Sequence, residues 1–169
     1  VQDGAGKDLD HRYDGSIIAI HFDQTFKKGA ETTLRVDYSV QNPISGIKFS
    51  QPDDQRPEMP LFAISDNETE RARYWFPCVD FPSVRTSMEY IITAPKELII
   101  LAGGALISET VKGSQKTAHW KLDYPCASYL ACMAIGDFTE YKDKSLRDIP
   151  LAYYADSSYT PEQLQRTFH

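Results

Sequence analysis

The sequence predicts an all-β protein built as an antiparallel β-sandwich with little helix. The first observation is a period-two alternation of apolar and polar residues, which is typical of strands with one buried face. This alternation recurs over residues 17–22, 34–41, 87–94 and 117–124. The second observation is that turn-forming residues end each segment, as they do in antiparallel sheets whose outer faces are polar.

The segments between these strands are assigned in chain order. Residues 1–15 are polar and contain glycines, so we expect loose or edge structure there, and residues 50–60 are predicted to form a loop. The Gly103-Gly104 pair indicates a bulge or turn between two strands. Gly113 lies between two strand candidates and predicts a hairpin.

A helix start is predicted near the end of the chain. Thr160 occupies a cap position, Pro161 the first helical position and Gln163 the position three after the cap. A helix this short is marginal by itself. We therefore expect residues 1–155 to form the sandwich domain, and residues 156–169 to be a linker and helix start that lead into a further domain.

Composition and charge limit the class of protein. The chain has 169 residues, of which 41% are hydrophobic and 25% charged, which is ordinary for one globular domain. The formal net charge of −6 argues against a nucleic-acid partner, because such proteins present a basic face. Since no apolar run reaches the roughly 18 residues of a membrane span, we expect no membrane partner.

The cysteine count favours reduced thiols. Cys78, Cys126 and Cys132 cannot all pair within one chain, and their wide spacing does not resemble a disulfide framework. We expect them to be reduced and buried, and the alternative is one disulfide with one free thiol. This usage favours a cytoplasmic location.

No pattern of catalytic or metal-binding residues stands out. The four histidines are dispersed, and the spacing of Cys and His is unlike that of a zinc site. The chain also lacks the Gly-x-Ser-x-Gly sequence of a nucleophile elbow. We therefore expect no catalytic residue, no metal site and no cofactor in this chain.

Residues 66–85 are the most distinctive segment. Residues 67–73 favour one or two helical turns, with Asn67 or Ser65 as the cap, followed by an aromatic cluster between two prolines. Arg73 and Asp80 are predicted to pair across the turn. Asn67 also begins a formal glycosylation sequon, which we discount because the segment should be packed. The segment could be a structural corner only.

Three stretches of the chain resemble the N-terminal domain of the aminopeptidase N family of zinc aminopeptidases, which includes leukotriene hydrolase. The first is the Ala-Arg-x-x-Phe-Pro-Cys-x-Asp-x-Pro pattern, whose matching positions are Ala72, Arg73, Phe76, Pro77, Cys78, Asp80 and Pro82. The second is an apolar strand that ends in Gly136, Asp137 and Phe138. The third is the turn at residues 94–98, and the resemblance covers about residues 15–155.

The resemblance implies a saddle-shaped β-sandwich that packs beside a separate catalytic domain of the same parent chain. The family's zinc site needs a His-Glu-x-x-His helix, and this chain contains neither that motif nor the family's Gly-x-Met-Glu-Asn strand. Zinc and the catalytic residues are therefore expected in the parent's catalytic domain. The parent is predicted to remove N-terminal residues from peptides, and this chain alone is predicted to be inactive.

One residue of this chain is implied to contact the peptide substrate. In the family, a Gln or Glu shortly before the Ala-Arg pair projects into the active site and holds the free N-terminal amine of the peptide. Counting back from Ala72, that position is Glu68. It is the one substrate-binding residue that the resemblance assigns.

The sequence also departs from the family pattern. Asp66 replaces a Gln, Phe81 replaces the acid that usually follows Asp80, and Trp75 is unusual. Residues 75–80 are similar to the aminopeptidase-like subunit of the general transcription factor that carries the TATA-binding protein, a relative that keeps the fold without peptidase activity. The alternative function is therefore a non-catalytic scaffold domain for protein–protein interaction.

Overall fold

The computed structural model describes residues 1–147 and 149–168, so Asp148 and His169 lie outside the described residues. The chain divides into two compact units, Val1–Gln41 and Asn42–His169. The first unit contains short strands that pair into two antiparallel ribbons, β1 with β4 and β2 with β3. Their bounds are β1 (Gln2–Asp3), β2 (His11–Tyr13), β3 (Ile18–Ile20) and β4 (Leu34–Arg35).

The predicted strand over residues 34–41 is therefore too long. Within this range, Leu34–Arg35 is the part that pairs as a strand, and its partner β1 is two residues long. A period-two pattern favours extended backbone, but a strand also requires a neighbour to accept its hydrogen bonds. Residues 36–41 keep the alternation but do not form a strand.

The second unit holds most of the sheet structure and ends in a helix. Its elements, in chain order, are β5 (Gly46–Ser50), β6 (Phe62–Asp66), β7 (Arg85–Pro95), β8 (Ile99–Ala102), β9 (Ala105–Lys112), β10 (Gln115–Ala127), β11 (Met133–Gly136), β12 (Phe138–Leu146), β13 (Ile149–Asp156) and α1 (Pro161–Phe168). The predicted loop at residues 50–60 and the predicted strands at residues 87–94 and 117–124 are confirmed. Within the described residues, α1 is too short and too polar to cross a bilayer.

Two antiparallel sheets form the sandwich of this unit. One has the strand order β7-β10-β9 and the other the order β5-β6-β11-β8. Ala94 and Ala118 of the first sheet and Ile100 of the second are buried together, and partly buried apolar side chains from both sheets pack around them: Ile92, Trp120 and Ile135. The predicted all-β sandwich is confirmed, and its core lies between these sheets.

The turns of the sandwich also follow the sequence. Gly113 closes the β9–β10 hairpin, and the Gly103-Gly104 pair forms the turn between β8 and β9. Strand β9 lies at the edge of its sheet, and its register with β10 shifts by one residue at Ile107. Ile107 is therefore a β-bulge on an edge strand.

The helix α1 begins with the predicted capping box. The Thr160 amide donates to Gln163 Oε1 at 2.7 Å, and the Gln163 amide donates to Thr160 Oγ1 at 3.3 Å. Leu164 is buried, and the Phe168 ring stacks on Tyr153 of β13 with ring centroids 4.4 Å apart. The helix thus packs on the β12–β13 hairpin, and the predicted linker that begins at residue 156 stays a prediction.

Candidate functional site

The helical prediction for residues 67–73 is wrong in extent. The structure has turns over residues 68–71 and a short 3-10 helix at Ala72–Tyr74. Asn67 does not cap this helix, because its side chain is hydrogen-bonded to other parts of the fold. The segment is therefore held by tertiary contacts, and its own helix propensity contributes little.

Residues 75–82, which follow the 3-10 helix, form a corner of the chain that Asp80 anchors from a buried position. Its Oδ2 accepts hydrogen bonds from the Arg73 amide at 3.1 Å and from Arg73 Nε at 3.0 Å, so the predicted pairing is confirmed. Its Oδ1 accepts a hydrogen bond from Ser128 Oγ at 2.5 Å. Burial opposes ionisation of this carboxyl, but the bonds from Ser128 and Arg73 outweigh burial and hold its pKa below the ordinary value.

The aromatic part of the corner is only half-buried. Trp75 and Phe76 pack edge to face with ring centroids 4.7 Å apart. Ala72 is fully buried, while Pro77 and Pro82 are exposed. The position of Ala72 explains its place in the motif, since a larger side chain would have no room.

The expected burial of the cysteines is wrong for two of them. All three are free thiols, as expected, but Cys78 and Cys132 are exposed and Cys126 is half-buried. Cys78 is exposed although it lies only two residues before the buried Asp80. Partial burial of the thiol nevertheless raises the pKa of Cys78 to about 11, with a smaller contribution from the Asp80 charge.

A glycine that the sequence reasoning missed brings β5 against the corner. Gly46 has a φ of +85°, and a Cβ placed on it would lie 2.2 Å from the Arg71 carbonyl oxygen and 2.8 Å from Trp75 Cδ1. Only glycine fits this close approach. A single glycine ahead of a strand is too common in sequences to have been recognised as this contact.

The Gly136-Asp137-Phe138 sequence has a structural role between β11 and β12. A Cβ on Gly136 would lie 2.7 Å from Phe138 Cζ and 2.8 Å from the Leu61 carbonyl oxygen. The Asp137 amide donates to that same oxygen at 3.0 Å, and Ser157 Oγ donates to Asp137 Oδ2 at 2.8 Å. The three residues thus turn the chain tightly from one strand into the next.

Charged residues surround Glu68, and its acidic neighbours are paired. Asp66 accepts from Lys48 Nζ at 3.0 Å and from Arg71 Nη1 at 3.3 Å. Glu70 accepts from Arg73 Nη2 at 2.8 Å. Glu68 is exposed and forms no hydrogen bond or ion pair with the described residues. It is therefore a carboxylate available to a ligand at the end of a constrained segment.

Asn67 is a second residue that the sequence reasoning did not assign to the site. It is 4% exposed, and its amide nitrogen donates to the Ala131 carbonyl while its amide oxygen accepts from the Trp75 indole. The buried amide explains why the formal sequon at Asn67 is not accessible to glycosylation. One feature of the sequence could have indicated Asn67, namely that it is a polar residue directly after strand β6.

The arrangement of donor side chains does not fit a zinc site in this chain. Among the residues 1–147 and 149–168, no group of three or more His, Cys, Asp or Glu side chains is placed to hold a metal ion. His119, for example, faces Glu89, with Nε2 2.5 Å from Oε1 on the outer face of the β7-β10-β9 sheet. This pair joins β10 to β7.

The fold and the corner define a peptidase-related domain. The sequence profile of the Peptidase M1 N-terminal domain family matches residues 5–130, which is more than half of the chain. The chain therefore belongs to this family, which confirms the family that the resemblance indicated. The fold is similar to that of an M1 zinc metallopeptidase from Deinococcus radiodurans, with a TM-score of 0.62 and 17% identity over 88% of this chain and 34% of that chain.

Two curated relatives illustrate the range of the family. Aminopeptidase M1-B of Oryza sativa subsp. japonica is 26% identical over 140 residues, which cover 82% of this chain and 16% of the relative. Transcription initiation factor TFIID subunit 2 of Drosophila melanogaster is 25% identical over 129 residues, which cover 73% of this chain and 11% of the relative. The chain thus spans less than a fifth of either protein.

Proposed function

We propose that this chain is the N-terminal domain of a larger zinc aminopeptidase, in which it helps to form the peptide-binding cleft and anchors the free amine of the peptide through Glu68. Family membership and the similarity to Aminopeptidase M1-B support this class of parent protein. One observation carries the residue assignment. Segment 66–73 contains three acids. Asp66 and Glu70 form ion pairs, and Glu68 forms none with the described residues.

The chemistry required of such a residue matches what Glu68 offers. An aminopeptidase must bind a free, protonated amine and reject blocked or internal peptides. A carboxylate does so through a charge-assisted hydrogen bond, which contributes about 1.5–3 kcal/mol. Glu68 is exposed in this chain, so its charge remains solvated until a ligand arrives and no buried charge has to be compensated.

Zinc and the water-activating residues belong, in this proposal, to a catalytic domain elsewhere in the parent protein. The side chains described in this chain do not fit a zinc site. We expect the purified chain of 169 residues to give a β-rich circular dichroism spectrum and no hydrolysis of aminoacyl-anilides when zinc is added. Stoichiometric zinc binding accompanied by turnover would contradict this assignment.

The corner also offers a surface for that catalytic domain. Because Asp80 is buried, its neighbours Val79 and Phe81 point outward, and they are 67% and 59% exposed. Exposed apolar side chains grouped in one loop are typical of an interaction surface. We assign this loop to the contact with the catalytic domain of the same parent chain.

The decisive experiment replaces Glu68 in the full-length protein. Glu68→Gln keeps the size of the side chain and removes its charge, so we expect binding of free-amine substrates and amine-bearing inhibitors to weaken at least tenfold. Zinc content and melting temperature should not change. Glu58→Gln, in the loop at residues 50–60, removes another exposed acid and serves as the matched control. Unchanged kinetics in Glu68→Gln would leave Glu68 a surface charge.

The second candidate function is a non-catalytic scaffold domain. The similarity to TFIID subunit 2 favours it, together with the departures at Trp75 and Phe81. The two candidates differ in the rest of the parent sequence. A His-Glu-x-x-His motif followed by a distal Glu supports the enzyme, since these residues supply the zinc ligands and the base. Their absence from the parent would support the scaffold.

A further inference from the structure

We propose that Asn67 is a positioning residue, which fixes the backbone from which Glu68 reaches the substrate amine. This inference rests on the proposed function of Glu68. It concerns a different property of the site, namely how the carboxylate is aimed, and it assigns a role to Trp75 as the partner of Asn67.

The Asn67 side chain joins two separate parts of the fold. Its Nδ2 donates to the Ala131 carbonyl oxygen at 2.5 Å, next to the start of β11. Its Oδ1 accepts from Trp75 Nε1 at 2.7 Å, in the aromatic corner. Its backbone carbonyl accepts from the Arg71 amide at 3.0 Å, which closes the turn that contains Glu68. The residue is 4% exposed, so these bonds are shielded from water.

Glu68 depends on this arrangement because its own side chain has no partner among the described residues. The direction of its carboxylate is therefore set by the backbone on either side of it. Asn67 fixes that backbone on the N-terminal side, and the turn from Asn67 to Arg71 fixes it on the C-terminal side. A charge-assisted hydrogen bond has a narrow range of length, so a displaced carboxylate loses part of what that bond contributes to binding.

The amide group of asparagine suits this position for a chemical reason. The site requires one donor toward a carbonyl and one acceptor toward an indole, and an amide supplies both in a fixed geometry. Aspartate would supply acceptors only and would place a charge in a buried site. Trp75 is required in turn, because phenylalanine could fill much of the same space but has no N–H group to donate.

Strand β6 contains a matched control. Ser65 lies two residues before Asn67, and its hydroxyl also links β6 to β11, since it accepts from the Met133 amide at 2.9 Å and donates to the Met133 carbonyl at 3.3 Å. Ser65→Ala therefore removes hydrogen bonds of the same kind close to Glu68, and it leaves the bonds of Asn67 intact. It measures the effect of a loss of stability alone.

The experiment compares Trp75→Phe, Asn67→Leu and Ser65→Ala in the full-length protein. Trp75→Phe is the conservative variant, which should fold even if Asn67→Leu does not. We expect Trp75→Phe to raise KM for free-amine substrates about fivefold and to change kcat less than twofold. Ser65→Ala should lower the melting temperature without changing KM. A tenfold effect of Glu68→Gln together with an unchanged KM in Trp75→Phe would overturn the positioning role and leave the proposed function intact.

A second readout does not require catalysis. NMR relaxation of the 169-residue chain should give the Glu68 amide a rigid order parameter of about 0.85, which should fall below about 0.6 in Trp75→Phe. The Glu70 amide, within the same turn, reports whether the change spreads. If Glu68 is equally rigid in both proteins, Asn67 does not position it, whatever the result of Glu68→Gln.

Discussion

Ser128 donates a hydrogen bond of 2.5 Å to the carboxylate of Asp80, although 48 residues separate them in the chain. Both residues are buried, at 5% and 7% exposure. This bond ties the aromatic corner after the 3-10 helix to the segment that connects β10 and β11. The corner is therefore part of the sandwich, and its stability should depend on the charge of one carboxylate.

The first prediction concerns pH. The native pKa of Asp80 lies below its ordinary value of 3.8, so the ionised carboxylate stabilises the fold fully above that value. As the pH falls from about 3.8 through the native pKa, the unfolded chain takes up a proton that the folded chain does not bind, and stability declines. Urea unfolding between pH 6 and pH 2.5 should show a steeper decline for the natural chain than for Asp80→Asn.

The comparison with Asp80→Asn isolates this one group. Hydrogen bonds also hold the pKa values of other carboxyls below their ordinary range, including those of Asp14, Asp53 and Asp66. Both proteins share these groups, so their contribution cancels in the difference between the two profiles. If the free energy of unfolding falls equally with pH in both proteins, Asp80 does not contribute to the pH dependence.

The second prediction concerns Gly46. Gly46→Ala should lower the free energy of unfolding by more than about 2 kcal/mol, because the residue has a positive φ and its new Cβ would collide with the Arg71 carbonyl. Gly113→Ala is the control, since Gly113 also has a positive φ but nothing lies within 4 Å of a Cβ there. It should cost about 1 kcal/mol. Equal losses in urea denaturation would argue against the close approach.

The third prediction compares two phenylalanines of the corner. Phe76 is half-buried against Trp75, so Phe76→Ala should lower the free energy of unfolding by about 2 kcal/mol, less than for a fully buried ring. Phe81 is 59% exposed, so Phe81→Ala should stay within about 0.5 kcal/mol in this chain. In the full-length protein Phe81→Ala should become destabilising. A neutral effect there would remove Phe81 from the proposed contact with the catalytic domain.

The fourth prediction concerns the reactivity of Cys78. Its pKa of about 11 leaves roughly 0.1% of the thiol ionised at pH 8, against about 10% for an ordinary thiol of pKa 9.0. Alkylation should therefore be slow although the residue is exposed. The net decrease should be about tenfold relative to the urea-unfolded chain, since the more basic thiolate is also more nucleophilic. Peptide mass spectrometry after timed iodoacetamide treatment measures this ratio, and equal rates would contradict the raised pKa.

The parts of the fold that could be predicted are those in which local pattern and tertiary contacts agree. Strands β7 and β10 alternate in sequence and pair over most of their length, so their pattern was sufficient. The capping box at Thr160 is local and was also predictable. Residues 34–41 show the limit of this reasoning, because the alternation cannot tell whether a partner strand exists.

The contacts that form the site were harder to predict. Asn67 bonds to Ala131, which is 64 residues away, and Gly46 packs on the Arg71 backbone. Neither contact produces a periodic pattern of apolar and polar residues in the sequence. The expected burial of Cys78 was wrong for a related reason, since residues 77–81 form no regular strand or helix from which the direction of its side chain could be predicted. Glu68 could be assigned only through the resemblance to the family.

The irregularity at Ile107 bears on how copies of this chain behave at high concentration. An uninterrupted edge strand exposes a row of unpaired amides and carbonyls, which a second molecule can extend into a continuous ribbon. On β9 the extra residue breaks the repeat of that row at the third of the strand's eight residues. Strand β9 carries exposed apolar side chains, including Leu106 and Val111. Even so, the β9 strands of two copies cannot pair regularly along their full length. The bulge thus shortens the regular edge that a second copy could extend.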